Sequence, residues 1–151
     1  ALVIDSLPRD VYRDVRKLFS SRPLDLFNYK AMKMFVHGDP SFYDIVPGGY
    51  DAELYIRFGS DTMNYYEYRQ PVYQNWSVSK NNVDINFSVL TSVKAARPDT
   101  FKGTYRVPVS QDDTTRTYGV RGNPSLRKIV EISIGVRNVG KPLLRGQVLG
   151  C

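Results

Sequence analysis

The chain has 151 residues, the size of one ordinary domain and long enough to bury roughly 70% of the surface its unfolded form exposes. With 42% hydrophobic and 24% charged residues and a single cysteine, Cys151, neither a disordered chain nor a disulfide-stapled miniprotein fits. The net charge is +6, but no basic run exceeds two residues, which excludes a nucleic-acid-binding tail and a polybasic membrane segment, and the absence of 18 consecutive apolar residues excludes a spanning helix.

Eleven Tyr and seven Phe beside 11 Gly and 9 Pro favour β-structure punctuated by turns. In chain order, residues 11–19 read as a first strand and residues 23–29 as a short helical turn. A period-two segment follows, in which Met32, Met34 and Val36 oppose Lys33, Phe35 and His37. Residues 39–51, with Pro40, Pro47, Gly48 and Gly49, read as a long exposed loop. Leu54, Ile56 and Phe58 then alternate with Tyr55 and Arg57, and the turn-rich 59–64 segment predicts an antiparallel hairpin over 53–72.

Val83, Ile85 and Phe87 define the next strand. Residues 88–96 predict a helical turn, with Ser88 as its cap and Arg97-Pro98 as its stop. Strands are expected at 103–109, where Pro108 demands an edge or a bulge, and at 115–120. The last is marked by Val130, Ile132, Ile134 and Val136, opposed to Glu131, Ser133, Gly135 and Arg137. Eight or so short strands with two helical turns predict an all-β fold, an antiparallel β-sandwich or jelly roll, as a single domain over 1–151. The basic excess lies in residues 101–151, with 9 basic against 3 acidic residues, and reads as a basic face on a folded sheet.

Catalytic constellations are thin. His37 is the one histidine, so a nucleophilic triad has a single candidate base, and a solvent-facing or hydrogen-bonded histidine is the simpler reading. Cysteine and histidine are too few for a zinc site. Asp99, Asp112 and Asp113 lack the spacing of a calcium loop, and no glycine motif cradles a phosphate. Paired-carboxylate chemistry would have to draw on Glu53, Asp61, Glu67, Asp84 and Glu131. No cofactor, no metal and no enzyme is the resulting expectation. One aromatic set has two readings. Tyr55, Tyr66, Tyr68 and Trp76, with Arg57 and Arg69 beside them, form either a platform for sugar rings or tyrosines packed across a sheet.

Several stretches go beyond a generic sandwich. These are Asp25-Leu26-Phe27-Asn28-Tyr29-Lys30-Ala31-Met32-Lys33-Met34-Phe35-Val36-His37, Ile56-Arg57-Phe58-Gly59-Ser60-Asp61, Asn64-Tyr65-Tyr66-Glu67-Tyr68, Asn123-Pro124-Ser125-Leu126 and Ile134-Gly135-Val136-Arg137-Asn138. In this order they resemble a segment of the SprA/Sov family, the very large outer-membrane translocons of the Bacteroidetes type IX secretion system, linked to gliding motility. Family members continue past the position of Cys151 into a further strand. That resemblance implies a non-catalytic scaffold or interaction domain, extracytoplasmic and associated with the outer membrane. Its implied partners are other domains of the same giant chain, proteins of the secretion system and exported substrates, with no nucleic acid. The order of elements is also similar to galactose-binding-like jelly rolls. The alternative function is a carbohydrate-binding module. Tyr55, Arg57, Tyr66, Tyr68 and Trp76 are the candidate ligand or interface residues under both.

Overall fold

The computed structural model describes residues 1–42 and 49–150. Among the described residues ten strands form two antiparallel sheets, with one helix beside them. One contains β1 (Leu2–Pro8), β10 (Leu143–Gly150), β3 (Ala31–Gly38) and β6 (Asn82–Asn86) in that order. The other contains β2 (Tyr12–Leu18), β9 (Glu131–Asn138), β4 (Ala52–Asp61), β5 (Asn64–Val72), β8 (Thr117–Arg121) and β7 (Tyr105–Pro108). This is the expected sandwich, with two strands more than the alternation predicts. Both β1 and β10 lack clean period two, since β1 carries Asp5 and Ser6 mid-strand and shifts register between Ile4 and Leu7.

The core lies between the sheets. Leu54, Ile56 and Phe58 of β4, Val36 of β3, Val83 and Ile85 of β6, and Val136 of β9 are buried, while Met32, Met34, Ile132 and Ile134 pack on them partly buried. Burying each large side chain contributes about 1.5–3 kcal/mol. Hairpin β4–β5 sits at the centre of the six-stranded sheet, with Ile56 opposite Tyr68 and Phe58 opposite Tyr66. Its turn is tighter than expected. The strand runs on to Asp61, a bulge intervenes at Ser60, and the Asp61 carboxylate accepts the Met63 N–H at 2.8 Å.

Two ribbons, β1–β2 and β9–β10, cross from one sheet to the other at one corner, and Asn138 joins them. Fully buried, it donates through Nδ2 to the carbonyls of Leu7 and Lys141 and accepts the Lys141 N–H through Oδ1. Its backbone N–H reaches the carbonyl of Val11. One amide side chain thus satisfies polar groups that a sheet-switching corner would otherwise leave bare.

Helix α1 (Phe87–Ala96) packs Leu90 and Val93 against the sandwich. Its cap is Asn86, not Ser88: Asn86 stands two residues earlier, at the end of the extended strand, and its side chain accepts the Ser88 N–H at 3.0 Å. Arg97 turns extended before Pro98, as expected. Residues 23–29 are not helical. Leu24 bridges to Ile129, and Asp25 takes the Phe27 N–H in a side-chain turn, a local bond that competes with a helical one. Pro108 does fall on an edge strand. Within the predicted loop 39–51, residues 43–48 lie outside the described residues, while Phe42 and Asp51 on either side are buried.

The free edge of β6 is sealed by side chains of the opposite sheet. Arg116 donates to the carbonyls of Asn82 and Lys80, and the Tyr118 hydroxyl accepts from the Asn86 N–H at 3.0 Å while facing the Asp84 carbonyl. That blocks pairing with another chain along this strand. Among the described residues no helix is long and apolar enough to cross a membrane.

Candidate interaction face

The outward face of the six-stranded sheet carries every second residue of the central strands: Glu53, Tyr55 and Arg57 of β4, and Tyr65, Glu67 and Arg69 of β5. Register places Arg57 opposite Glu67 and Tyr55 opposite Arg69. Cross-strand pairs of opposite charge are the stabilising unit of such a face. Here they extend into a network across the sheet. Glu67, with its side chain 1% exposed, accepts from Arg57 Nε at 2.9 Å and from Arg106 Nε at 2.6 Å, and lies 2.8 Å from Arg69 Nε. Arg69 also donates to Glu53, which takes a second bond from Arg137, and Arg137 reaches Asp10.

A second line runs beside it. The Tyr55 hydroxyl donates to Asp14 at 2.9 Å, and Asp14 and Glu131 both face Arg16. Glu67 lies at the bottom, with the guanidinium groups of Arg57 and Arg106 more exposed above it. Arg57 stacks over the rings of Tyr55 and Tyr65 at 4.8 and 4.4 Å. Gly135 makes the layer possible, because a Cβ there would collide with the Tyr55 ring.

The electrostatics follow from burial. Burial alone would raise the Glu67 carboxyl, but the Arg106 hydrogen bond and the charges of Arg69, Arg106 and Arg57 outweigh it and hold the group below its ordinary value. Burial would lower Arg69, yet Glu67 and Glu53 raise it. Burial and the neighbouring Asp14 carboxylate raise the Tyr55 hydroxyl.

The structure does not gather the five candidate residues on one surface. Tyr55 and Arg57 lie in the outward layer, and Tyr55 is itself 1% exposed beneath its neighbours. Tyr66 and Tyr68 point the other way, into the core, at 2% and 1% exposure. Trp76 sits in the β5–β6 connection against His37, ring centroids 5.0 Å apart. Of the two readings, these tyrosines take the packed one. His37 is half-buried, with Nδ1 lacking a partner, rather than solvent-facing. Glu53 and Glu67 are tied up by arginines, and Asp61 closes its turn. No group of three potential metal ligands occurs among the described residues.

Pairing neutralises four of the nine basic residues in 101–151. Arg106 and Arg137 join the outward network, Arg116 seals β6 and pairs with Asp113, and Lys141 pairs with Asp51. Arg106 and Arg137 join this site through partners distant in the sequence. A two-residue turn at Thr62-Met63 by itself would set Arg57 opposite Tyr68; the bulge at Ser60 shifts the register by one and brings Arg57 opposite Glu67, and nothing local connects Glu67 to Arg106, 39 positions away.

An antiparallel β-sandwich with a charge-paired layer across its broad face defines the class as a β-sandwich module. The family model SprA_N, described as motility related/secretion protein, matches residues 1–148, and the chain belongs to that family. Comparison with the curated proteins finds no match.

Proposed function

We propose that the chain is a non-catalytic scaffold or interaction domain of a type IX secretion outer-membrane translocon, one domain of a much larger polypeptide. It would serve protein export and gliding motility from an extracytoplasmic position at the outer membrane. The family match over residues 1–148 carries this reading. The outward network supports it physically. Its partners are other domains of the same polypeptide, proteins of the secretion system, or exported substrates. Fixed guanidinium groups over buried carboxylates offer a flat surface with little side-chain entropy left to lose on docking, and Arg and Tyr are residues that interfaces favour.

The test replaces Arg16 and Arg121 by Glu in the parent polypeptide. Arg16 is 45% exposed on its side chain, and Arg121 lies opposite Tyr65 on the same face. Cells carrying R16E/R121E should hold normal amounts of the protein but export less cargo and spread less on a surface. Wild-type export and spreading would overturn the docking role of this face.

A further inference from the structure

On the outer side of the other sheet, a groove of about 630 Å³ runs between the 25–30 segment and the start of α1. The volume is within the range of ligand sites. Its floor is Ala31, Phe87 and Leu126, and one rim carries Phe27 and Tyr29, which are 52% and 64% exposed. The Phe27 ring is held in place, and Tyr29 is anchored through its backbone N–H to the Leu26 carbonyl. Asp25 accepts the Phe27 N–H, the Leu26 and Leu126 backbones are bonded at 2.7 Å, and Arg127 stacks on Phe27 at 3.8 Å.

The opposite wall is polar and only partly satisfied within itself. Ser88 donates its hydroxyl proton to Asn86 Oδ1, and Thr91 donates to the Ser88 carbonyl, so both oxygens remain acceptors toward the groove. Asn86 Nδ2 on this wall, and the Asn28 amide and Lys30 ammonium on the 25–30 side, have no partner among the described residues. The groove therefore combines ring faces with interleaved donors and acceptors. Hydroxyl groups, which donate and accept at once, match that set. A peptide strand does not: β3 is paired with β6 from Ala31 to Phe35, and the far edge of β6 is sealed by Arg116 and Tyr118, leaving no row of free backbone groups for strand addition. Lys30 and Lys33 against Asp84 leave a positive excess at the groove.

We propose that this groove binds a saccharide chain, with an anionic saccharide preferred, stacking on Tyr29 and Phe27 and bonded by Asn28, Lys30, Asn86, Ser88 and Thr91. The site is distinct from the outward network, and neither proposal depends on the other.

The probes are an oligogalacturonate and cellohexaose, titrated into the 151-residue chain with backbone amide NMR and calorimetry. Oligogalacturonate should shift the amides of Tyr29, Asn86 and Ser88 and bind more tightly than cellohexaose, the gap closing with added salt. Y29A should weaken binding at least tenfold with an unchanged melting temperature, and W76A, which removes an exposed aromatic outside the groove, should leave it intact. Failure of both saccharides to bind would overturn the proposal. So would an equal loss in W76A, or a decaglutamate peptide shifting the same amides while the saccharides do not. Cellohexaose binding as tightly as oligogalacturonate would overturn the anionic preference.

Discussion

Replacing Glu67 by Gln keeps the shape of the side chain and removes the charge that three arginines share. Glu67 has its side chain 1% exposed, so little solvent can compensate Arg57, Arg69 and Arg106. Breaking a buried ion pair from one side costs about 3–5 kcal/mol, and urea denaturation of E67Q should show a loss of that size, against near-neutral change for an exposed control such as K102Q. The same group makes stability depend on pH. Its folded value is lowered below the ordinary 4.5, so the unfolded chain takes up the proton first as pH falls. The stabilisation is present above pH ~4.5 and drains away as pH drops through the folded value. Tyr68 acts at the other end: burial pushes its hydroxyl up to about 12, so its contribution is complete below pH ~10 and is lost as pH rises from there toward 12. Unfolding midpoints should therefore fall at both ends of a pH 3–12 series, and the acid limb should flatten in E67Q.

At the scale of elements, strands were legible in the sequence where one face is apolar and the other polar, and obscured where that pattern breaks. Segments β3, β4, β6 and β9 alternate cleanly and were placed by it. Strands β1 and β10 were not, because their core contacts rest on the few residues Ile4, Leu7, Leu144 and Val148, set in stretches that also carry Asp5, Arg145 and Gly146. Alternation also misjudged what the polar faces do. Tyr55, Glu67 and Arg69 occupy wet positions by pattern yet are buried, because neighbouring side chains lie flat across them. That depends on Gly135 and on long-range strand neighbours, which period two does not encode. The seal on β6 is a second example, since it joins Arg116 and Tyr118 to a strand more than thirty residues earlier. Y118F removes the acceptor for the Asn86 N–H. It should lower stability by about 1 kcal/mol and speed hydrogen exchange at the Asn86 amide, measurable by NMR, while amides in β4 keep their protection.

For the whole molecule, the two sheets divide the surface into a charge-paired side and a grooved side, and the corner at Asn138 holds them together. The family match gives the molecule a place in motility and secretion, and the outward network gives the proposed domain a surface on which to dock. The direct test puts a photo-crosslinking amino acid at Tyr12, which is 47% exposed beside the Arg69 guanidinium on the outward face, and, as a control, at Val78, 74% exposed in the β5–β6 connection. Both are introduced into the parent polypeptide in cells, and crosslinked peptides are mapped by mass spectrometry. The account predicts adducts from position 12 to another part of the polypeptide or to a secretion-system protein, and their loss in the R16E/R121E background. No adduct at position 12, or an equal yield of the same adducts from position 78, would contradict it.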